Sequence, residues 1–335
     1  MNHDLDLGRY AVHTDLALEA KQMAEESSGG PIPGVHSETT EDEGITITRL
    51  TVENEAGSRA IGKVMGKYVT FEVPELRTHD SELGDRVATS FAQEFERFLQ
   101  ELGVAKDANV LIVGLGNWNV TPDALGPLVV ENTMVTRQFF ELMPDQVAPG
   151  YRCVSAVAPG VLGITGIESS EIIQSIAEKT KPGLIIAIDA LASRSLDRVN
   201  TTIQIADTGI HPGSGIGNKR KGLTKEILGV PVIAIGVPTV VYASTVVNSA
   251  FDMMKEHFKQ QAGDTGQLMG MLDQLGETER LMLVKEVLSP LKHDLLVTPK
   301  EIDQFIEDIA NVIASGLNAA LHDAVDSSNV AAYTH

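Results

Sequence analysis

Cys153 is the single cysteine among 335 residues, so neither an intrachain disulfide nor a thiolate metal cluster can form within one chain. That usage fits a reducing cytoplasm. Aromatic residues make up only 4% of the chain against 43% hydrophobic residues, so a sizeable core has to be built from Val, Ile, Leu, Ala and Met. Basic residues are outnumbered 26 to 46, a formal net charge of −20. Such a surface repels nucleic-acid phosphate and anionic lipid, and neither is expected as a direct partner. A basic protein would be attracted, although acidity is also a common solubility feature. No uninterrupted apolar run approaches the ~20 residues a membrane-spanning helix needs. The opening MNHDLDLGRY has no basic n-region and no apolar h-region, so a secretory signal is not expected.

The patterning divides the chain. Residues 1–43 are polar and rich in Gly and Pro, and read as an extended arm, except that Leu16 to Met23 has the makings of a short amphipathic helix. Residues 45–53 alternate apolar and polar, as a half-exposed strand does, and Tyr68–Val73 is a second strand placed to pair with it in antiparallel fashion. Over residues 80–102, Val87, Phe91, Phe95, Phe98 and Leu99 recur at spacings of three and four, predicting one long amphipathic helix. Then come short continuous apolar runs at Asn109–Gly114, Leu184–Ile188 and Val230–Gly236, with a weaker one at Thr201–Ala206. Continuous runs suit strands buried on both faces of a parallel sheet. Helical periodicity between them, at Pro127–Leu142 and Glu168–Glu178, gives a three-layer α/β/α domain with a mostly parallel sheet. Residues 259–280 read as an insertion or mobile segment, and 300–322 as a closing amphipathic helix behind Thr298-Pro299.

In an open parallel sheet, ligands bind beyond the carboxyl ends of the strands. On the expectation that all four runs are parallel, Asp123, Asp189, Asp207, His211 and Thr239 share one rim. Asp123, in TPDALG ahead of a helix, could equally be a helix N-cap. Asp189 directly follows LIIAI, and a carboxylate in that setting is costly unless paired or functional; its bland alternative is a buried charge held by Arg194 or Arg198. Asp207 begins a DTG tripeptide, a match too short to carry weight. His211 fits a metal ligand, a general acid–base or an ordinary loop histidine. The glycines of 213–217 ahead of Lys219-Arg220-Lys221 lack both the P-loop and the dinucleotide spacing. Neither HExxH nor GxSxG occurs. Two carboxylates on one rim suit amide hydrolysis: one ionised to take a proton from water, the other protonated to polarise the scissile carbonyl. The same carboxylates with His211 could instead hold a divalent metal that activates water. A non-enzymatic carrier of basic proteins is the alternative from outside the enzymes.

Five long blocks, GLGNWNVTPDALGP (114–127), SAVAPGVLGITGIESSEI (155–172), IIAIDALASRSLDRVNTTIQIADTGIHPGSGIGNKR (185–220), GVPVIAIGVPTVV (229–241) and the C-terminal VTPKEIDQFIEDIANVIASGLNAALH…AYTH, resemble the germination proteases of spore-forming Firmicutes. The resemblance implies an endopeptidase of the spore core, cytoplasmic in the forespore. Its partners would be the small acid-soluble spore proteins it degrades. It would be made as a zymogen, assemble as a homotetramer and share its fold with hydrogenase-maturation endopeptidases. It also implies that Asp123 and Asp189 are the catalytic pair, with no cofactor unless a divalent metal takes part, and it gives His211 no firm role. Substrates of the family are cut within a sequence like Thr-Glu-Phe/Ile-Ala-Ser-Glu, after the acidic residue. Thr14-Asp15-Leu16-Ala17-Leu18-Glu19 is similar in type at five of six positions, with Leu18 as the departure. The expectation is self-cleavage between Asp15 and Leu16, so that residues 1–15 are a propeptide. Residues 16–335 would then be a single peptidase domain with a variable segment near 255–285.

Overall fold

The computed structural model describes residues 11–210, 222–260, 277–288 and 294–325. The elements run α1 (Ala17–Ser28), β1 (Val35–Asp42), β2 (Ile45–Val52), α2 (Glu55–Ile61), β3 (Gly66–Glu72), α3 (Ser81–Glu101), β4 (Val110–Gly114), α4 (Leu125–Glu131), α5 (Arg137–Leu142), β5 (Val154–Val157), α6 (Leu162–Thr165), α7 (Ser169–Thr180), β6 (Leu184–Ala192), β7 (Thr202–Ala206), α8 (Lys225–Leu228), β8 (Val232–Tyr242), α9 (Ala243–Gln260), α10 (Glu277–Leu288), β9 (Leu296–Val297) and α11 (Ile302–Leu321).

The strands form one mixed sheet in the order β1-β2-β3-β7-β8-β6-β4-β5, with β9 appended to β8. Strands β8, β6, β4 and β5 are mutually parallel. The other half, β1 to β3 and then β7, pairs antiparallel throughout. Counted by direction, β1, β3, β8, β6, β4 and β5 point one way and β2, β7 and β9 the other. The fold is α/β, as the alternation of continuous apolar runs and helical periodicity predicts.

Side-chain alternation along the central strands sorts the core into layers. Ile186 and Ile188 of β6, Ile233, Ile235 and Val237 of β8, and Ile203 and Ile205 of β7 meet α3 and α11 on one face. Phe91 and Phe95 of α3 are fully buried there and stack with ring centroids 5.7 Å apart. On the other face, Ile185 and Ala187 pack against Ile173 of α7, while Ala17 and Ala20 of α1 pack over Leu50, Tyr68 and Ala206. No described helix is long and apolar enough to cross a membrane.

Three expectations need correction. Strand β7 is antiparallel to β8, with Gln204 opposite Gly236 and Ala206 opposite Ala234, so Asp207 emerges at the opposite end of the sheet from Asp189. Its Oδ1 accepts the Lys67 N–H at 2.8 Å, fastening β7 to β3, and burial raises its pKa. Ile210 and Leu223 pair at that same opposite end, and His211 and the glycine loop between them lie outside the described residues. The second correction concerns residues 127–142. They form two short helices rather than one, because the chain leaves α4 at Asn132 and the Thr136 hydroxyl accepts the Val154 N–H of β5. Third, the arm expected through residue 43 contains β1, whose polar side chains are exposed beyond Val35. The stretch at 259–280, read as an insertion or mobile segment, is helical at both margins, and its middle, residues 261–276, lies outside the described residues.

Candidate active site

Asp189 stands near the carboxyl end of β6, on the α1/α7 face, and is half-buried rather than deeply embedded. Its partner in the β8 register is Gly236. A β-carbon at Gly236 would collide with the Leu191 side chain, so this glycine clears the space beside the aspartate. Asp189 Oδ1 accepts the Ala190 N–H at 3.0 Å. Its bland alternative was a charge held by Arg194 or Arg198. Those guanidinium groups are directed elsewhere: Arg194 to Glu26 at 2.9 Å, and Arg198 to Glu72 at 2.8 Å and Glu19 at 3.2 Å.

Asp123 ends a 3-10 turn, Thr121–Asp123, in the loop after β4. That loop folds back on its own strand. Leu115 N–H donates to Ile188 O at 2.8 Å, Asn117 N–H to Asp123 O at 2.9 Å, and Asp123 N–H to Val120 O at 2.8 Å. Gly116 makes the return feasible. It takes φ +115°, and a β-carbon there would run into Asp123 O while lying 3.4 Å from Asp123 Oδ1. Gly114 and Gly126 touch backbone to backbone in the same way, seating α4 on the strand end. Across the crevice, Thr239 of β8 is fully buried and donates from its hydroxyl to Pro122 O at 2.6 Å. Asp123 is not the N-cap of α4; Ala124 holds that position, with no side-chain cap bond. Both aspartates are therefore carried to the crevice where β4 ends and β6 continues: Gly114 pairs with Ile188, and Asp189 is the next residue on.

Because β6 outruns β4, its edge is open from Ala190 onward, and the N-terminal arm fills it. Asp15 N–H donates to Ala192 O at 2.9 Å, and Ala192 N–H donates to Asp15 Oδ2 at 2.8 Å. The Ala190 and Ala192 amides point the same way, roughly 7 Å apart at the usual strand rise, one capped by Asp189 and the other by Asp15. The next residues are anchored. Leu16 and Ala17 are fully buried, and Ala17 N–H donates to Gln204 Oε1 at 2.7 Å. Gln204, Gly236 and Asp189 lie in one row across three strands, which puts Gln204 roughly 10 Å from Asp189 at ordinary strand spacing. Glu19, 1% exposed, accepts the Arg194 N–H at 2.7 Å and the Ser195 N–H at 3.2 Å besides its ion pair with Arg198. Lys63, between α2 and β3, donates to Asp15 O at 2.9 Å and Thr14 O at 3.1 Å. Burial lowers its pKa, opposed by the carboxylates of Asp15 and Glu19.

Sequence reasoning placed Asp123, Asp189 and Thr239 on one rim, and the fold brings all three to it. It put Asp15 and Leu16 at a cleavage point without indicating where they dock. Lys63 and Gln204 were missed, since each comes from a segment far from the arm, and Arg198, weighed only as a partner of Asp189, pairs with Glu19 and Glu72 instead. Among the described residues, no group of three or more His, Cys, Asp or Glu side chains is placed to hold a metal ion.

Two aspartates at the carboxyl ends of adjacent parallel strands stand beside a peptide laid along an open strand edge on an α/β scaffold, an arrangement chemically suited to amide hydrolysis. A model of the germination protease family matches residues 11–267 and 261–334. Over their full lengths, the chain is 54% identical to the germination protease of Bacillus cereus (strain ATCC 10987 / NRS 248), 53% to that of Bacillus cytotoxicus and 53% to that of Bacillus mycoides. The chain belongs to the germination protease family. Among solved structures, a nickel–iron hydrogenase maturation protease from Thermococcus kodakarensis aligns with 63% of this chain and 92% of its own, at 19% identity and a TM-score of 0.30.

Proposed function

We propose that the chain is an endopeptidase made as a self-cleaving zymogen, in which Asp123 and Asp189 activate water and the first bond cut is Asp15–Leu16. What supports this reading is the docking of Asp15 on the open edge of β6, two residues beyond the amide that Asp189 caps. Addition of a strand to a free sheet edge is a general mode of peptide capture, and the arm occupies this edge in the manner of a substrate. One carboxylate takes a proton from water as it attacks the Asp15 carbonyl carbon. The other, in its protonated form, donates toward the carbonyl oxygen. After the cut, the described part of the arm, residues 11–15, keeps only its contacts at His13, Thr14 and Asp15, whereas Leu16 and Ala17 stay buried and Glu19 keeps the Arg194, Ser195 and Arg198 anchors, so the arm departs and α1 stays.

The substrates in this proposal are the small acid-soluble spore proteins, cut in the forespore-derived core by a homotetramer. A metal-assisted variant would use the same two aspartates. His211, its third ligand, lies outside the described residues, and the flanking pair Ile210 and Leu223 sits at the far end of the sheet. The test is incubation of the purified full-length protein at mildly acidic pH, followed by sequencing of the new N-terminus. Leu16 is the expected first residue, and any other start sinks the assignment.

A further inference from the structure

We propose that Lys63 is a catalytic residue of this cleavage: its ammonium binds the carbonyl oxygen on the N-terminal side of the scissile bond and stabilises the negative charge that develops there. The inference rests on the reading of Asp15–Leu16 as the bond cut. Three observations carry it. The Lys63 ammonium lies 2.9 Å from Asp15 O, the distance an oxyanion donor needs, and its second acceptor is the neighbouring carbonyl, Thr14 O, at 3.1 Å. The carbonyl is fixed from both sides. Asp15 is held to Ala192 by two hydrogen bonds, and Leu16 N–H donates to Thr14 Oγ1 at 3.0 Å. The lysine itself is aimed by its backbone, because the Ser58 hydroxyl donates to Lys63 O at 2.7 Å just past the left-handed Gly62 that ends α2.

The chemistry balances without a further reactant. Water oxygen bonds to the Asp15 carbonyl carbon, and the carbonyl electron pair moves onto the oxygen that faces Lys63. The proton lost by water goes to an aspartate and then to the Leu16 nitrogen as the C–N bond breaks. The electron pair returns to re-form the C=O bond, and the products are an α-carboxylic acid on Asp15 and an amine on Leu16. The acid passes its remaining proton to the amine to give carboxylate and ammonium, and Lys63 keeps its proton throughout. Burial lowers the pKa of Lys63 and also strengthens the field of its ammonium at the oxyanion, while the carboxylates of Asp15 and Glu19 oppose that lowering and favour the charged form.

The alternative is that Lys63 is only a strap for the arm. The experiment uses the full-length chain with Lys63→Met and Lys63→Arg. It follows loss of residues 1–15 by mass spectrometry and protection of residues 13–17 by hydrogen exchange. The expected result is a slowing of at least a hundredfold in Lys63→Met with arm protection retained by Ala192, Gln204 and the Glu19 anchors, and partial recovery in Lys63→Arg. Processing of Lys63→Met within threefold of wild type overturns the proposal. So does a slowing that merely follows loss of arm protection. Failure of the underlying reading shows separately, as a wild-type chain that never yields Leu16 as its first residue.

Discussion

Asp15 and Ala192 exchange two hydrogen bonds, backbone N–H to backbone O at 2.9 Å and backbone N–H to carboxylate at 2.8 Å, across 177 residues of sequence. This relationship lays an otherwise polar N-terminal arm against the open edge of β6. It also puts a carboxylate on the amide two residues past the one that Asp189 covers. The protein thus carries in its own sequence a peptide already seated next to its candidate catalytic pair.

The loop that presents Asp123 depends on Gly116. Its φ of +115° is strained for any residue with a side chain, at a cost of about 1–3 kcal/mol, and an added methyl would also press on Asp123 O. Gly116→Ala is expected to lower the melting temperature modestly. It should slow processing by about a hundredfold, because a displacement of roughly 1 Å in a reacting group has that effect. Thermal melts together with the rate of N-terminal release check it. Wild-type processing with an unchanged melt would show that the loop tolerates the methyl group.

Glu19 is the anchor that should outlast the cut. Replacing it with Ala removes the acceptor for the Arg194 and Ser195 amides and one partner of Arg198, which retains Glu72. The expected loss is about 2–3 kcal/mol, below the full cost of breaking a buried pair because Arg198 keeps a counter-charge. Denaturant unfolding measures it. The processed form of Glu19→Ala should also show faster hydrogen exchange in α1 than processed wild type.

His322 gives stability a specific pH dependence. It is fully buried at the end of α11, where its Nδ1 accepts the Arg152 N–H at 3.1 Å, and burial lowers its pKa to about 4. The unfolded chain binds a proton at this residue near pH 6.5, whereas the folded chain does so only near pH 4. Between these values the unfolded state holds more protons, so stability falls as pH falls. The contribution is fully present above pH 6.5 and is lost by about pH 4, with a limit of about 3 kcal/mol. Unfolding free energies at pH 7 and pH 5 should differ more in wild type than in His322→Gln. An equal difference in both proteins would assign the pH dependence to other groups.

The sequence made the α/β layering legible because β4, β6 and β8 are continuous apolar runs and α3 and α11 keep a clear helical period. The direction of β7 was not legible. TTIQIA reads the same whether a strand enters the sheet parallel or antiparallel, and only the pairing of Gln204 with Gly236 decides it. That one reversal removes Asp207 from the rim. Strand β1 stayed hidden because its outward residues, Ser37 to Asp42, are polar and stabilised by pairing rather than burial. At the candidate site, Asp189 stood out from its apolar run, whereas TPDALG by itself reads equally as a helix cap and Asp123 stood out only through the family resemblance. Lys63 acts through a four-carbon stem reaching the arm from another segment, a contact no local pattern encodes.

The central claim is that Asp123 and Asp189 together cut the bond after Asp15. It is tested most directly by incubating full-length wild type, Asp123→Asn and Asp189→Asn side by side and measuring intact mass and melting temperature. The account predicts that wild type sheds residues 1–15 while both variants stay full-length and melt close to wild type. Release of the same fragment by either variant at the wild-type rate would contradict it.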